Sequence, residues 1–250
     1  MSTNQKILLT GGSGRLGSAL QKLMPGLVAP PRAELDLTRE GSIDRALARY
    51  RPEAVLHAAA FTDVKGAESN RAEAWAVNVE GTRRLVRALG DTPLIHISTD
   101  YVFHGDSGDY KEDDPVGPVR NYYALSKLAA EEVARCAPRH LIIRTSFRPD
   151  AWPYPVAFCD LYTGQDYLDV IAPEIRLALE HLERIPYHTL HIVTERKSVF
   201  ELAKRRSPGV RAGSKALAGV DLPDDISLNT ERWQGLRAQF SKADLSKEPS

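Results

Sequence analysis

Tyr123 and Lys127 stand four residues apart in Tyr123-Ala124-Leu125-Ser126-Lys127. On a helix that spacing puts a phenol and an ammonium group on one face. A neighbouring cation favours phenolate, so the pair predicts a tyrosine pKa drawn down from its usual ~10 toward the working range. Such a phenol can pass a proton to a carbonyl oxygen as hydride reaches the carbon. The same spacing also arises on ordinary helix surfaces, so the chemistry needs support elsewhere. Upstream, Ile95-His96-Ile97-Ser98-Thr99-Asp100-Tyr101-Val102-Phe103 is an apolar run that ends in hydroxyls. In an alternating α/β chain such hydroxyls reach the carboxyl edge of the sheet, where ligands bind. Thr99 is the candidate to bond the same substrate oxygen. Ser98 is the second choice and is counted among the cofactor contacts. Tyr101 is either a further substrate contact or a packed aromatic.

A second set of residues fits a dinucleotide. Thr10-Gly11-Gly12-Ser13-Gly14-Arg15-Leu16-Gly17 follows a strand pattern and opens a helical one. Gly11, Gly14 and Gly17 permit a sharp turn and let backbone approach a pyrophosphate. The helix N-terminus then offers free N–H groups to the anion. A third run, His57-Ala58-Ala59-Ala60-Phe61-Thr62-Asp63, closes another strand with small residues. Ala58, Ala59 and Ala60 would let a cofactor lie against backbone, and Thr62 would face the substrate or satisfy a turn. An acid after the second strand would grip a ribose 2′-hydroxyl and favour NAD(H). The stretch there is Val28-Ala29-Pro30-Pro31-Arg32. Arg32 and Arg15 suit a 2′-phosphate instead, which favours NADP(H) and leaves NAD(H) open; as solvated surface arginines they would do neither. Asp36 lies where an adenine amino group could be read, or it caps the helix that follows.

The elements that must position these groups alternate. Strand patterns cover Lys6–Thr10, Leu27–Ala29, Ala54–His57, Leu94–Ser98 and Leu141–Arg144, with helical patterns near 14–23, 42–50, 70–89 and 121–136. Alternation of this kind implies parallel pairing with right-handed crossovers and a doubly wound α/β sheet. Gly81 inside the third helical pattern suggests close packing, because glycine weakens a helix otherwise. After Arg144 the rhythm breaks. Residues 145–165 hold Phe147, Pro149, Trp152, Pro153, Tyr154, Pro155 and Phe158, which reads as an ordered irregular crossing. Helical patterns near 172–184, 198–205 and 229–240 and a strand near 190–193 follow. The expected division is a dinucleotide-binding domain over 1–147 and a smaller lobe over 148–250, with parts of 160–195 returning to the first domain.

The 250 residues carry 33 Lys+Arg against 33 Asp+Glu. A neutral chain without a basic block argues against nucleic-acid binding. No apolar run approaches the ~20 residues of a membrane helix, and the first strand pattern begins too early for a signal peptide. Cys136 and Cys159 read as unpaired thiols of a reducing cytoplasm. No histidine or cysteine spacing fits a metal, and no GxSxG elbow supports serine hydrolysis.

In their order along the chain, the glycine loop, His57-Ala58-Ala59-Ala60-Phe61-Thr62-Asp63, Asn78-Val79-Glu80-Gly81-Thr82, Ile97-Ser98-Thr99-Asp100-Tyr101-Val102-Phe103 and the Tyr123/Lys127 pair resemble the extended short-chain dehydrogenase/reductases. Within these the likeness is to the dTDP-4-dehydrorhamnose reductases, and it extends weakly over 160–235 through Ser227-Leu228-Asn229-Thr230. The resemblance implies a Rossmann-type domain with a substrate lobe. It implies Tyr123 as proton donor, Lys127 on the nicotinamide ribose and Thr99 completing the triad. Gly11, Gly14, Arg15, Leu16, Asp36, Leu37 and Ala58–Ala60 would surround the cofactor, and Thr62 and Tyr101 would line the sugar site. The family's tryptophan after Arg-Thr-Ser is Phe147 here, also expected on the substrate side, and the segment that follows is short, so a shortened lobe is expected. The implied reaction is NAD(P)H reduction of C4 of a nucleotide-linked 4-keto-6-deoxysugar, with a small-molecule substrate, and a homodimer as the assembly the reading admits. Two alternatives stand beside it. One is a non-catalytic NADP-binding regulatory subunit on the same fold, such as that of methionine adenosyltransferase, with Trp152, Tyr154 and Phe158 as interface anchors. The other is a nucleotide-sugar epimerase or dehydratase.

Overall fold

The strands that carry the candidate site are short, apolar and buried on both faces, which suits a sheet covered by helices on each side. In the computed structural model, which describes residues 5–245, β1 is Ile7–Thr10, β2 Ala54–His57, β3 Leu94–Thr99 and β4 His140–Thr145. They stand in that order in one sheet. β1 pairs with β2 and β2 with β3 in parallel. The predicted strand over 27–29 is reduced to one residue, Val28, bridged in parallel to Leu8. Pro30 and Pro31 directly after it lack the N–H donors a longer ladder would need. The strand order therefore reverses at β1, and the gap between β1 and β2 is the switch point at which such sheets bind ligands.

The chain divides into two compact units, residues Met1–His104 with Pro115–Arg144, and Gly105–Asp114 with Thr145–Ser250. The assignment of 105–114 to the second unit is not anticipated by a boundary at 147.

In the first unit, α1 (Arg15–Leu23) follows the glycine loop and α2 (Ser42–Tyr50) buries Ile43 and Ala46. The predicted helix over 70–89 runs without a break from Arg71 to Leu89, with one π-turn inside it, and a short helix precedes it. α3 is Val64–Ser69, α4 is Arg71–Trp75, a π-turn runs from Ala76 to Glu80, and α5 is Gly81–Leu89. Gly81 is small for a packing reason, since a Cβ there would meet the Leu37 Cβ at 3.0 Å. Leu85 and Leu89 join Leu8, Leu35, Leu37, Val55, Leu94 and Ile142 in the core. α6 (Tyr122–Ala134) starts at Asn121, whose side chain accepts from the Ala124 N–H at 2.8 Å.

In the second unit three short strand pairs replace a continuous sheet. β5 (Phe147–Arg148) pairs with β8 (Asp166–Tyr167), β6 (Val156–Phe158) with β11 (Arg211–Gly213), and β7 (Tyr162–Thr163) with β10 (Lys197–Ser198). With these go α7 (Leu168–Glu180), β9 (Thr189–His191), α8 (Val199–Lys204) and α9 (Glu231–Leu245). A capping box sets the start of α8. The Ser198 hydroxyl accepts from the Glu201 N–H, and the Glu201 carboxylate accepts from the Ser198 N–H. Trp152 is buried against Ala157, Val199, Ala203 and Val210. It is therefore part of a core and not the exposed anchor that the regulatory alternative called for. Tyr154 is the aromatic of that stretch that stands out, at 58% exposure.

Candidate active site

The glycine loop leaves no room for side chains. Gly11 has a φ of +76°, and a Cβ there would lie 2.6 Å from the Ala59 nitrogen. A Cβ on Gly17 would lie 2.3 Å from the Gly11 carbonyl oxygen. Both contacts are with backbone, which cannot swing aside as a flexible side chain can. Gly14 is the N-cap of α1 and supplies no side-chain cap, and the first turn holds no acid. The amide groups of that turn are thus open to an anion, as a pyrophosphate requires. Two residues missed from the sequence hold the loop in shape. Gln21 Nε2 donates to the carbonyls of Gly12 at 2.7 Å and Gly17 at 3.1 Å, and the Ser18 hydroxyl donates to Gly12 at 3.3 Å. Their only signal is a position on the inner side of α1.

Across the switch point, Ala58, Ala59 and Ala60 are half-buried at the end of β2. The Ala59 N–H donates to Thr10 Oγ1 at 3.2 Å. Below it runs a buried polar chain. Thr82 Oγ1 donates to the Asn78 carbonyl at 2.6 Å, so at its 2.9 Å contact with His57 Nε2 it accepts. His57 Nδ1 is then the acceptor for the Thr10 hydroxyl at 2.7 Å. Asn78 lies on the π-turn. Its Oδ1 accepts from the Phe61 N–H at 2.7 Å, and its Nδ2 donates to the Phe61 carbonyl at 3.2 Å and to Ser126 Oγ at 2.9 Å. Ser126 donates to the Tyr123 carbonyl at 2.7 Å. The cofactor strand and the helix of the candidate acid are joined by this one network.

Burial holds His57 neutral, with a pKa lowered to about 3, and the charge of Lys127 adds to the effect. The unfolded chain takes up this proton near pH 6.5, whereas the folded chain resists until about 3. Between those values the unfolded state binds more protons, so stability falls as pH falls. His57 is expected to contribute about 2 kcal/mol of lost stability between pH 7 and pH 5. Denaturant unfolding at the two pH values, compared with His57→Asn, measures it. An equal pH dependence in that variant would remove His57 as the source. His96, its neighbour in register on β3, is also held neutral by burial. Neither ring nitrogen of His96 has a hydrogen-bond partner among the described residues.

Thr99, Tyr123 and Lys127 converge. Thr99 closes β3, and its hydroxyl lies near enough to the Tyr123 phenol to oppose part of the rise in the phenol's pKa. Thr99 Oγ1 also donates to Asp100 Oδ1 at 2.9 Å. Lys127 is buried and its Nζ donates to the Ile97 carbonyl at 2.7 Å. Tyr101 meets the Tyr123 ring edge-on at 6.2 Å, and Phe61, Val64 and Tyr122 pack beside them.

Several sequence expectations need correction. The Tyr123 pKa is raised and not lowered. Burial is the main cause, and the Asp100 carboxylate adds to it. The Lys127 ammonium is hydrogen-bonded to the Ile97 carbonyl. A neutral phenol is still the form that donates a proton. Ser98 does not face the site, because its hydroxyl donates to buried Glu131 at 2.8 Å. Leu16 and Leu37 are buried. Asp36 makes a turn: its Oδ1 accepts from the Thr38 N–H and hydroxyl at 2.9 and 2.7 Å. These bonds, those to Thr38 first, hold its carboxyl below the usual range. Arg32 reaches it at 3.4 Å on an exposed surface. Arg15 and Thr62 are exposed. Phe147 belongs to the second unit, in β5, and is half-buried.

The family described as RmlD substrate binding domain matches residues 5–158. A dTDP-4-dehydrorhamnose reductase of Mycobacterium tuberculosis is 37% identical over 190 residues, 71% of this chain and 57% of that protein. The chain thus spans little more than half the length of this curated relative. A hypothetical dTDP-4-dehydrorhamnose reductase of Sulfolobus tokodaii superposes with a TM-score of 0.79 at 31% identity, covering 92% of this chain and 94% of that one. The dTDP-4-dehydrorhamnose reductase of Bacillus anthracis, solved in complex with NADP, superposes with a TM-score of 0.81 at 25% identity over 95% and 99% of the two chains. With more than half of its length matched, the chain belongs to the RmlD substrate binding domain family.

Proposed function

We propose that this chain binds NADP(H) and reduces the C4 ketone of a nucleotide-linked 4-keto-6-deoxysugar. The observation that carries the reading is the meeting of Thr99, Tyr123 and Lys127 at the carboxyl edge of the sheet that also presents the side-chain-free glycine loop. The names of the relatives point the same way.

The residues present fit the dinucleotide. Gly11, Gly14 and Gly17 would take the pyrophosphate, with Ala58–Ala60 alongside and Lys127 toward the nicotinamide ribose. When bound, the reduced nicotinamide supplies hydride. Tyr123 gives its phenolic proton to the ketone oxygen, and the Thr99 hydroxyl, on turning from Asp100, would donate a hydrogen bond to the charge developing there. Burial of all three keeps water from screening those interactions. Tyr101 and Thr62 border the same edge and would contact the sugar.

Monitoring NADPH fluorescence while nucleotide 4-ketosugars and smaller carbonyl compounds are supplied tests the reading. Oxidation with the nucleotide ketosugar is expected. NADPH binding with no oxidation by any carbonyl compound would instead favour the regulatory alternative. Arg32→Ala is expected to weaken NADPH about tenfold while leaving NADH nearly unchanged, the scale of one charge-assisted phosphate contact. Equal losses for the two cofactors would put Arg32 away from the 2′-phosphate.

A further inference from the structure

Glu131 is wholly buried on α6, one helical turn beyond Lys127. Nothing in the proposed chemistry uses it. Its carboxylate is nonetheless tied to the site from both sides. Oε2 accepts from the hydroxyl of Ser98, the residue immediately before Thr99, at 2.8 Å, and from Arg144 Nε at 3.2 Å. Oε1 accepts from Arg144 Nη2 at 2.6 Å and from Arg135 Nη2 at 2.8 Å. Arg144 is itself buried and lies over the Phe103 ring at 5.0 Å.

We infer that Glu131 is a positioning residue, which keeps the neighbouring Lys127 an ammonium ion and fixes the end of β3 that carries Thr99. The inference deepens the reading of Tyr123, Thr99 and Lys127 as the reacting set and rests on it for its functional meaning. The geometry supports both parts. Glu131 lies one turn from Lys127 on the same face of α6, and both side chains are buried. The Ser98 bond crosses from α6 to β3 and pins the residue next to Thr99. Burial pulls Lys127 down, to about 8 even with the Glu131 charge opposing the fall. The other ionisable groups around Lys127 cannot do this work. His57 on β2 and His96 on β3 are neutral. Tyr123 on α6 is held as the neutral phenol, and Asp100 beyond β3 takes the Thr99 hydroxyl. On the helices packed against α6, Glu68 is bound to Arg71 and the Tyr122 N–H, and Glu80 on the π-turn to Arg83. Arg84 on α5 donates to the Leu37 carbonyl.

The test is the titration of the Lys127 ε-ammonium in protein without cofactor, read by NMR of lysine labelled at the ε position and assigned with Lys127→Arg. Glu131→Gln retains the shape and an acceptor for Ser98 but removes the charge. Its Lys127 titration is expected to move down by about one pH unit or more, the scale of losing an adjacent opposite charge. The alkaline limb of NADPH affinity is expected to move with it. Ser98→Ala, which leaves the charge in place, is expected to leave the titration where it was. Glu131→Asp is expected to restore part of the shift. An unmoved Lys127 titration in folded Glu131→Gln would overturn the inference, as would an equal shift in Ser98→Ala. If Glu131→Gln alone does not fold, Glu131→Gln/Arg144→Gln also removes the stranded cation, and its Lys127 titration is expected to lie below that of Arg144→Gln; equal titrations in those two variants would overturn the inference. Because the titration needs no substrate, a failure to find turnover would count against the proposed reaction and leave this result standing.

Discussion

Tyr123→Phe is expected to lower turnover about a thousandfold, within the range assigned to a positioned general acid, and to leave NADPH binding nearly intact. The substitution removes one oxygen from a ring that is buried and edge-packed on Tyr101. The ring's packing survives, so the loss falls on the proton transfer. The raised pKa of the phenol fixes the form of the pH dependence too. Tyr123 is protonated across the working range, so no alkaline limb of activity within that range should trace to its ionisation. Stopped-flow NADPH oxidation and fluorescence titration of NADPH separate the two quantities. Turnover within about tenfold of the parent would remove Tyr123 from the role of acid.

The second large effect concerns stability. Arg144→Met is expected to cost about 3–5 kcal/mol, the usual result of removing one partner of a buried ion pair. The methionine replaces the apolar stem well, but Glu131 is left without its closest cation at 2.6 Å. Arg135 also reaches Glu131, at 2.8 Å, but sits partly in solvent and cannot replace two bonds from a buried fork. Pairing the change with Glu131→Leu is expected to recover much of the loss, because an apolar pair of similar volume needs no counterion. Urea unfolding of the two variants measures this. A loss under about 1 kcal/mol for the single change would mean that the pair is open to water and behaves as a surface bridge.

The parts of this architecture that depend on local pattern were legible in the residues. Ile7-Leu8-Leu9 and Ala54-Val55-Leu56 are continuous apolar runs, and these are the strands buried on both faces. The glycine spacing announced a backbone approach, and the contact between Gly11 and Ala59 is that approach. Features that depend on distant partners were not legible. Glu131 and Glu132 are adjacent and chemically identical, yet one is wholly buried and the other exposed. Only the arrival of Arg144 and Ser98, 13 and 33 residues away, distinguishes them. The direction of the Tyr123 shift failed for the same reason. Spacing put a cation on the right face, while the burial of the phenol that outweighs it was a tertiary fact. Likewise the pattern over 70–89 gave one long helix, and the structure replaces part of it with a π-turn that turns Asn78 toward Phe61 and Ser126.

That asparagine has a consequence for how the sequence can drift. Its amide spends one acceptor and two donors on three fixed partners in a space closed to water. Aspartate has the outline but no donors, and glutamine has the donors but an extra carbon. Histidine cannot offer the same geometry from a rigid ring. The position therefore has no chemical neighbour one step away. Descendants of this chain could leave asparagine only by rewriting Phe61, Ser126 and the turn together, a barrier set by bond counting and not by the reaction itself.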